Sequence, residues 1–75
     1  MDTVEYSNSP EFVGELRNAH DTGKTIEVIG ADYRSLHNCI RRNDLRLFIT
    51  QDRHRSTLVV YKPKNRPEFA YRRKP

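Results

Sequence analysis

Two alternating runs in the second half of the chain, Leu45 to Gln51 and Ser56 to Lys62, limit the available folds more than any other segment. In each, aliphatic side chains recur at every second position, the period of a strand with one buried face, and the runs lie close enough to pair as an antiparallel hairpin. With Arg53-His54 as a tight turn, Leu47 faces Val60 and Ile49 faces Leu58 on one side. Phe48 then faces Val59 and Arg46 faces Tyr61 on the other. A longer loop of the same parity keeps every side chain on the same face. The aliphatic face needs a covering layer, and a chain of 75 residues has room for one thin-cored domain to supply it.

That layer is legible upstream. Ser9 followed by Pro10 reads as an N-cap with proline in the first turn, and Glu11 adds a negative charge at the positive end of the helix dipole. Phe12, Val13, Leu16 and Ala19 form one apolar stripe ended by Gly23, so the pattern predicts a helix over about residues 10–21. Thr25 to Ile29 reads as a strand with Ile26 and Val28 inward, stopped by Gly30. Asp32 caps a second helix whose buried stripe is Tyr33, Leu36 and Ile40, with Asn43 as a left-handed stop. Thr3 to Tyr6 has the alternation of a short edge strand. The expected fold is a small α+β two-layer sandwich, β-α-β-α-β-β (or α-β-α-β-β without the first strand), with a C-terminal hairpin. It occupies residues 1–62 and is followed by a flexible basic tail, residues 63–75. The expected core is Phe12, Leu16, Ile26, Val28, Leu36, Ile40, Leu47, Ile49, Leu58 and Val60.

The succession Ser9-Pro10-Glu11-Phe12, helix, Gly23 to Asp32, helix, hairpin resembles the layout of the small sulfur-carrier proteins that relay persulfide for tRNA thiolation. It is also similar to the C-terminal domain of translation initiation factor 3. The carriers place their reactive cysteine in a Cys-Pro-x-Pro motif at the start of the first helix, where this chain has Ser9-Pro10-Glu11-Phe12. The resemblance therefore implies the two-layer fold and not the sulfur chemistry.

Charge runs along the chain as a gradient. Residues 1–15 carry Asp2, Glu5, Glu11 and Glu15 with no Lys or Arg, whereas residues 62–75 carry Lys62, Lys64, Arg66, Arg72, Arg73 and Lys74 against Glu68 alone. With a formal net charge of +4, this asymmetry points to a polyanionic partner: nucleic acid, an anionic membrane surface or an acidic protein face. Helical spacing places Arg34, Asn38, Arg41 and Arg42 on one stripe, suited to tracking phosphates while Asn38 addresses a base edge. A solvated helix face with local ion pairs to Asp32 or Asp44 is the plain alternative. On the open sheet face Arg46, Phe48 and Thr50 lie beside Thr57, Val59 and Tyr61, and aromatics flanked by cations can stack unpaired bases. The tail adds Phe69 and Tyr71 between its cations.

The expected function is that of a small nucleic-acid-binding accessory or regulatory protein. The phosphate backbone would meet Arg34, Asn38, Arg41 and Arg42 on the helix, Arg46, Arg53 and Arg55 on the hairpin, and Lys62, Lys64, Arg66, Arg72, Arg73 and Lys74 on the tail. Phe48, Tyr61, Phe69 and Tyr71 are the stacking or interface candidates, and DNA and RNA are both open. The alternative is a non-enzymatic protein–protein interaction module or homodimer, such as a phage or mobile-element product that binds and modulates a host protein.

Other classes are disfavoured by what the chain lacks. The single Cys39 rules out an intrachain disulfide, suits a reducing cytoplasm, and reads as a small core hydrophobe. His20, His37 and His54 are too scattered for a metal site by spacing, and neither a phosphate-binding glycine loop nor a nucleophile–base set is present. No catalytic residue, metal or cofactor is expected. The longest apolar run is Leu58-Val59-Val60-Tyr61, so neither a membrane span nor a signal peptide is expected, and a cytoplasmic protein is.

Overall fold

Both helices begin where the sequence supplies a cap. In the computed structural model, which describes residues 2–52 and 54–65, the chain forms β1 (Asp2–Glu5), α1 (Pro10–Thr22), β2 (Ile26–Ile29), α2 (Tyr33–Arg42), β3 (Phe48–Asp52) and β4 (Thr57–Tyr61). A short 3-10 turn, Pro63–Asn65, follows. The Ser9 hydroxyl accepts from the Phe12 amide at 3.3 Å, and the Asp32 carboxylate accepts from the Ser35 amide at 3.1 Å. Each cap satisfies an amide that the first helical turn leaves without a partner. The Ser35 contacts also hold the Asp32 carboxyl below the usual aspartate range.

Both helices end in a left-handed residue. Gly23 (φ 75°) closes α1, with the Lys24 amide donating back to the Ala19 carbonyl at 3.0 Å. At α2 the left-handed residue is Asp44 (φ 59°), one place beyond the expected Asn43, whose φ is −95°. The Leu45 amide then donates to Ile40 and the Asp44 amide to Arg41, the paired return bonds of a Schellman closure, and Leu45 is buried beside the helix it has left.

The four strands form one mixed sheet in the order β1-β2-β4-β3. β1 and β2 are parallel, with α1 as the crossover, and β4 is antiparallel to both β2 and β3. Phe12, Leu16, Ala19, Leu36, Cys39 and Ile40 from the helices share one core with Ile26, Val28, Leu45, Leu47, Leu58 and Val60. Ile49 is packed against its edge. Thus the α+β sandwich with a C-terminal hairpin is present, first strand included.

The hairpin keeps the expected parity but not the expected register. Phe48 pairs with Tyr61 and Ile49 with Val60, a slip of two positions. A two-residue turn would need positive φ at both central positions, which Arg and His do not favour. The connection instead spans residues 53–56, with the Asp52 carboxylate accepting from the His54 amide at 3.0 Å and Ser56 left-handed at φ 56°. An even slip returns each side chain to its own face, so Leu47, Leu58 and Val60 remain in the core.

Tyr33 departs from its expected place on the buried stripe: it is 56% exposed and stacked on His37, with ring centroids 5.8 Å apart. As the first residue of α2, its side chain leans toward the helix start and past the end of the core. Gly14 lies inside α1, exposed, with open space where a Cβ would stand. Gly14→Ala should therefore raise stability by about 0.4–1 kcal/mol, read as a higher urea midpoint at unchanged slope.

Candidate nucleic-acid interface

The topology sorts charge by the ends of the sheet. β2 starts beside the start of β1 and the end of β4, and β4 ends beside the start of β3. Both helices terminate at that same end, α1 leading into β2 and α2 leading into β3. Here a cleft of about 540 Å³ is lined by His20, Asp21, Thr22 and Gly23 from the end of α1, Arg46 from the segment before β3, and Lys62 to Asn65 after β4. Asp21 is the one carboxylate among the described lining residues, and its Oδ1 lies 3.1 Å from His20 Nδ1. Among the described residues Arg46, Lys62 and Lys64 form no ion pair. The negative ends of both helix dipoles favour cations at this end.

The turn after β4 is fastened to the helix it faces. Asn65 Nδ2 donates to the Gly23 carbonyl, and the Thr25 hydroxyl reaches the Asn65 carbonyl at 3.5 Å. The first three residues of the segment expected to be a tail, Pro63–Asn65, thus form a turn bonded to the end of α1 and the start of β2. A Cβ at Gly23 would sit 2.9 Å from Asn65 Nδ2, so this position is constrained by space as well as by its φ.

On α2, Arg34, Asn38, Arg41 and Arg42 are all exposed, as are Tyr33 and His37, while Leu36, Cys39 and Ile40 face inward. Arg41 and Arg42 occupy the last turn, at the cleft end of the domain. Cys39 is buried, and its Sγ lies 3.8 Å from Asn43 Nδ2.

The expected stacking face is different. Phe48 is 51% exposed, but Tyr61 is only 6% exposed and Val59 is buried. Tyr61 lies on an inner strand, and the Phe48 ring packs edge-on against it at 5.9 Å, so Tyr61 is closed to a base while Phe48 stays accessible. Arg46 does not pair with Tyr61; it lies before β3 and lines the cleft.

Arg55, expected on phosphate, has a side chain 69% exposed and one guanidinium nitrogen tied to the sheet. Its Nη1 donates to Glu27 Oε1 at 3.1 Å, and the Thr3 and Thr57 hydroxyls donate to the same carboxylate at 3.1 and 2.6 Å. Glu27, 3% exposed, is the buried charge of the sheet face away from the helices. The Thr57 hydroxyl above all, with Thr3 and the Arg55 guanidinium, holds its carboxyl below the usual glutamate range. Such a group binds its proton more weakly folded than unfolded, so its network stabilises the fold above the ordinary glutamate range. That contribution disappears as pH falls through the folded pKa. Glu27→Gln should therefore be less stable than wild type at neutral pH, and thermal melts from pH 7 to 3 should show the gap closing on acidification.

Arg53, Arg66, Phe69, Tyr71, Arg72, Arg73 and Lys74 lie outside the described residues. Among the described residues no group of three or more His, Cys, Asp and Glu side chains could hold a metal ion, and no described helix is long and apolar enough to cross a membrane. Comparison with protein-family models, curated proteins and solved structures finds no match to this chain.

Proposed function

We propose that this chain is a small nucleic-acid-binding accessory or regulatory protein that grips the phosphate backbone at the cation-rich end of its sheet. The observation that carries this reading is the convergence of Arg46, Lys62 and Lys64 on one cleft, unpaired among the described residues and at the same end of the sheet as the last turn of α2, which holds Arg41 and Arg42. Cations that share a concave site raise the local potential and exchange condensed counterions for phosphate contacts. Arg34 and Asn38 extend the surface along α2, and the half-exposed Phe48 offers a ring to an unstacked base. The single, buried Cys39 suits work in a reducing cytoplasm.

Fluorescence anisotropy with labelled polynucleotides at several salt concentrations tests the reading. The expected result is an affinity that falls steeply with salt, and each phosphate contact removed should make the slope shallower by roughly 0.7–0.9. Replacing Arg34, Arg41 and Arg42 together by Ala should lower the slope by about 2–3 with little change in melting temperature, because all three side chains are exposed. Absence of wild-type binding even at low salt would overturn the proposal.

A further inference from the structure

The lining of the cleft mixes two hydrogen-bonding senses. Arg46, Lys62 and Lys64 supply only donors from their side chains. The end of α1 and the Asn65 side chain supply acceptors. The Asp21 side chain is 66% exposed and meets His20 through Oδ1 alone, leaving Oδ2 available. The Thr22 hydroxyl donates its proton to the Asn18 carbonyl at 2.7 Å, so toward a ligand its oxygen can only accept. Asn65 commits its Nδ2 to Gly23, which leaves Oδ1. The negative end of the α1 dipole reinforces this polarity.

A ligand that satisfies both sets must carry both an anion and a hydrogen-bond donor. The sugar–phosphate backbone of DNA offers acceptors along its length, whereas each RNA sugar adds a 2′-hydroxyl that can donate. The cleft, at about 540 Å³, falls within the usual range for small-ligand sites and is large enough for about one nucleotide unit. We infer that the cleft selects RNA over DNA, with phosphate against Arg46, Lys62 and Lys64 and the neighbouring 2′-hydroxyl donating to the Asp21 carboxylate. This inference rests on the nucleic-acid reading above and names the class of polymer.

The test uses the full chain and three labelled single strands of one sequence and length: RNA, DNA and 2′-O-methyl RNA, which keeps the ribose but has lost the donor proton. Wild type should bind RNA roughly tenfold more tightly than DNA, the scale of one hydrogen bond to a charged group. The 2′-O-methyl strand should bind as DNA does. Asp21→Ala should lose the preference by weakening RNA binding, with DNA affinity equal or higher once the carboxylate is gone. Equal wild-type affinity for RNA and DNA would overturn the inference while leaving the phosphate reading intact. An RNA preference that survives both 2′-O-methylation and Asp21→Ala would overturn it too, by assigning discrimination elsewhere. If neither polymer binds at low salt, the underlying reading fails with it. The methylated strand probes the wild-type protein, so the result does not depend on how well the variant folds.

Discussion

Leu36→Ala should lower stability by about 2–5 kcal/mol, because it removes a large side chain that is fully enclosed and leaves a cavity that the neighbours only partly fill. A domain of 75 residues has a total stability of roughly 4–11 kcal/mol, so one such cavity removes a large share of it. The expected observation is a urea midpoint lowered by about a fifth or more, with a substantial unfolded fraction if the wild type lies at the low end of that range. Phe48→Ala is the contrast: its ring is half exposed, and the loss should stay near 1 kcal/mol. A Leu36 variant as stable as the Phe48 variant would mean that α2 is not the lid of the core. Leu36 shares that core with Leu16 of α1 and Val60 of β4, so its truncation tests both layers at once.

Replacing Arg46, Lys62 and Lys64 together by Ala should produce a large binding defect. If each neutralises one phosphate, the salt slope falls by roughly 2–3, and affinity in about 0.1 M salt falls on the order of a hundredfold. Anisotropy titrations at several salt concentrations measure both. Stability should change by less, since cations at a helix C-terminus contribute only about 0.3–1 kcal/mol each. Comparison with the Arg34, Arg41 and Arg42 variant separates the two surfaces. If the helix variant loses binding and the cleft variant does not, the phosphate path runs along α2 and leaves the cleft aside.

What could be read from the sequence is what depends on near neighbours. Ser9, Asp32 and Gly23 act within a turn of the helix they bound, so their roles follow from local spacing. Strand parity was equally legible, because inward and outward positions alternate whatever the turn does. The register was not, since it depends on how Asp52 and Ser56 shape the connection between the strands. Glu27 was missed for another reason. Read alone it is an ordinary exposed residue of an alternating strand, and its partners Thr3, Arg55 and Thr57 lie far away in sequence. A weak signal existed: Thr3, Glu27 and Thr57 all occupy outward positions on strands that pair through β2. The cleft needed the strand order as well, because only with β2 between β1 and β4 does the end of α1 come beside Lys62.

The pairing of Asp2 with Ile26, and of Ile26 with Val60, brings the two ends of the described chain together. The backbone enters the sheet at Asp2 and leaves it toward Asn65 at the edge that carries the cleft, where Lys24 holds Asp2 at 2.7 Å. An affinity tag or fluorophore fused ahead of Asp2 would therefore crowd the end of the sheet that carries the cleft. The β3–β4 connection lies at the opposite end of the sheet, where His54 and Ser56 are exposed, and a dye attached at Ser56 would leave Arg46, Lys62 and Lys64 clear. Immobilised through that loop, the molecule would present its cleft to solution; immobilised through the N-terminal strand, it would turn that end toward the support.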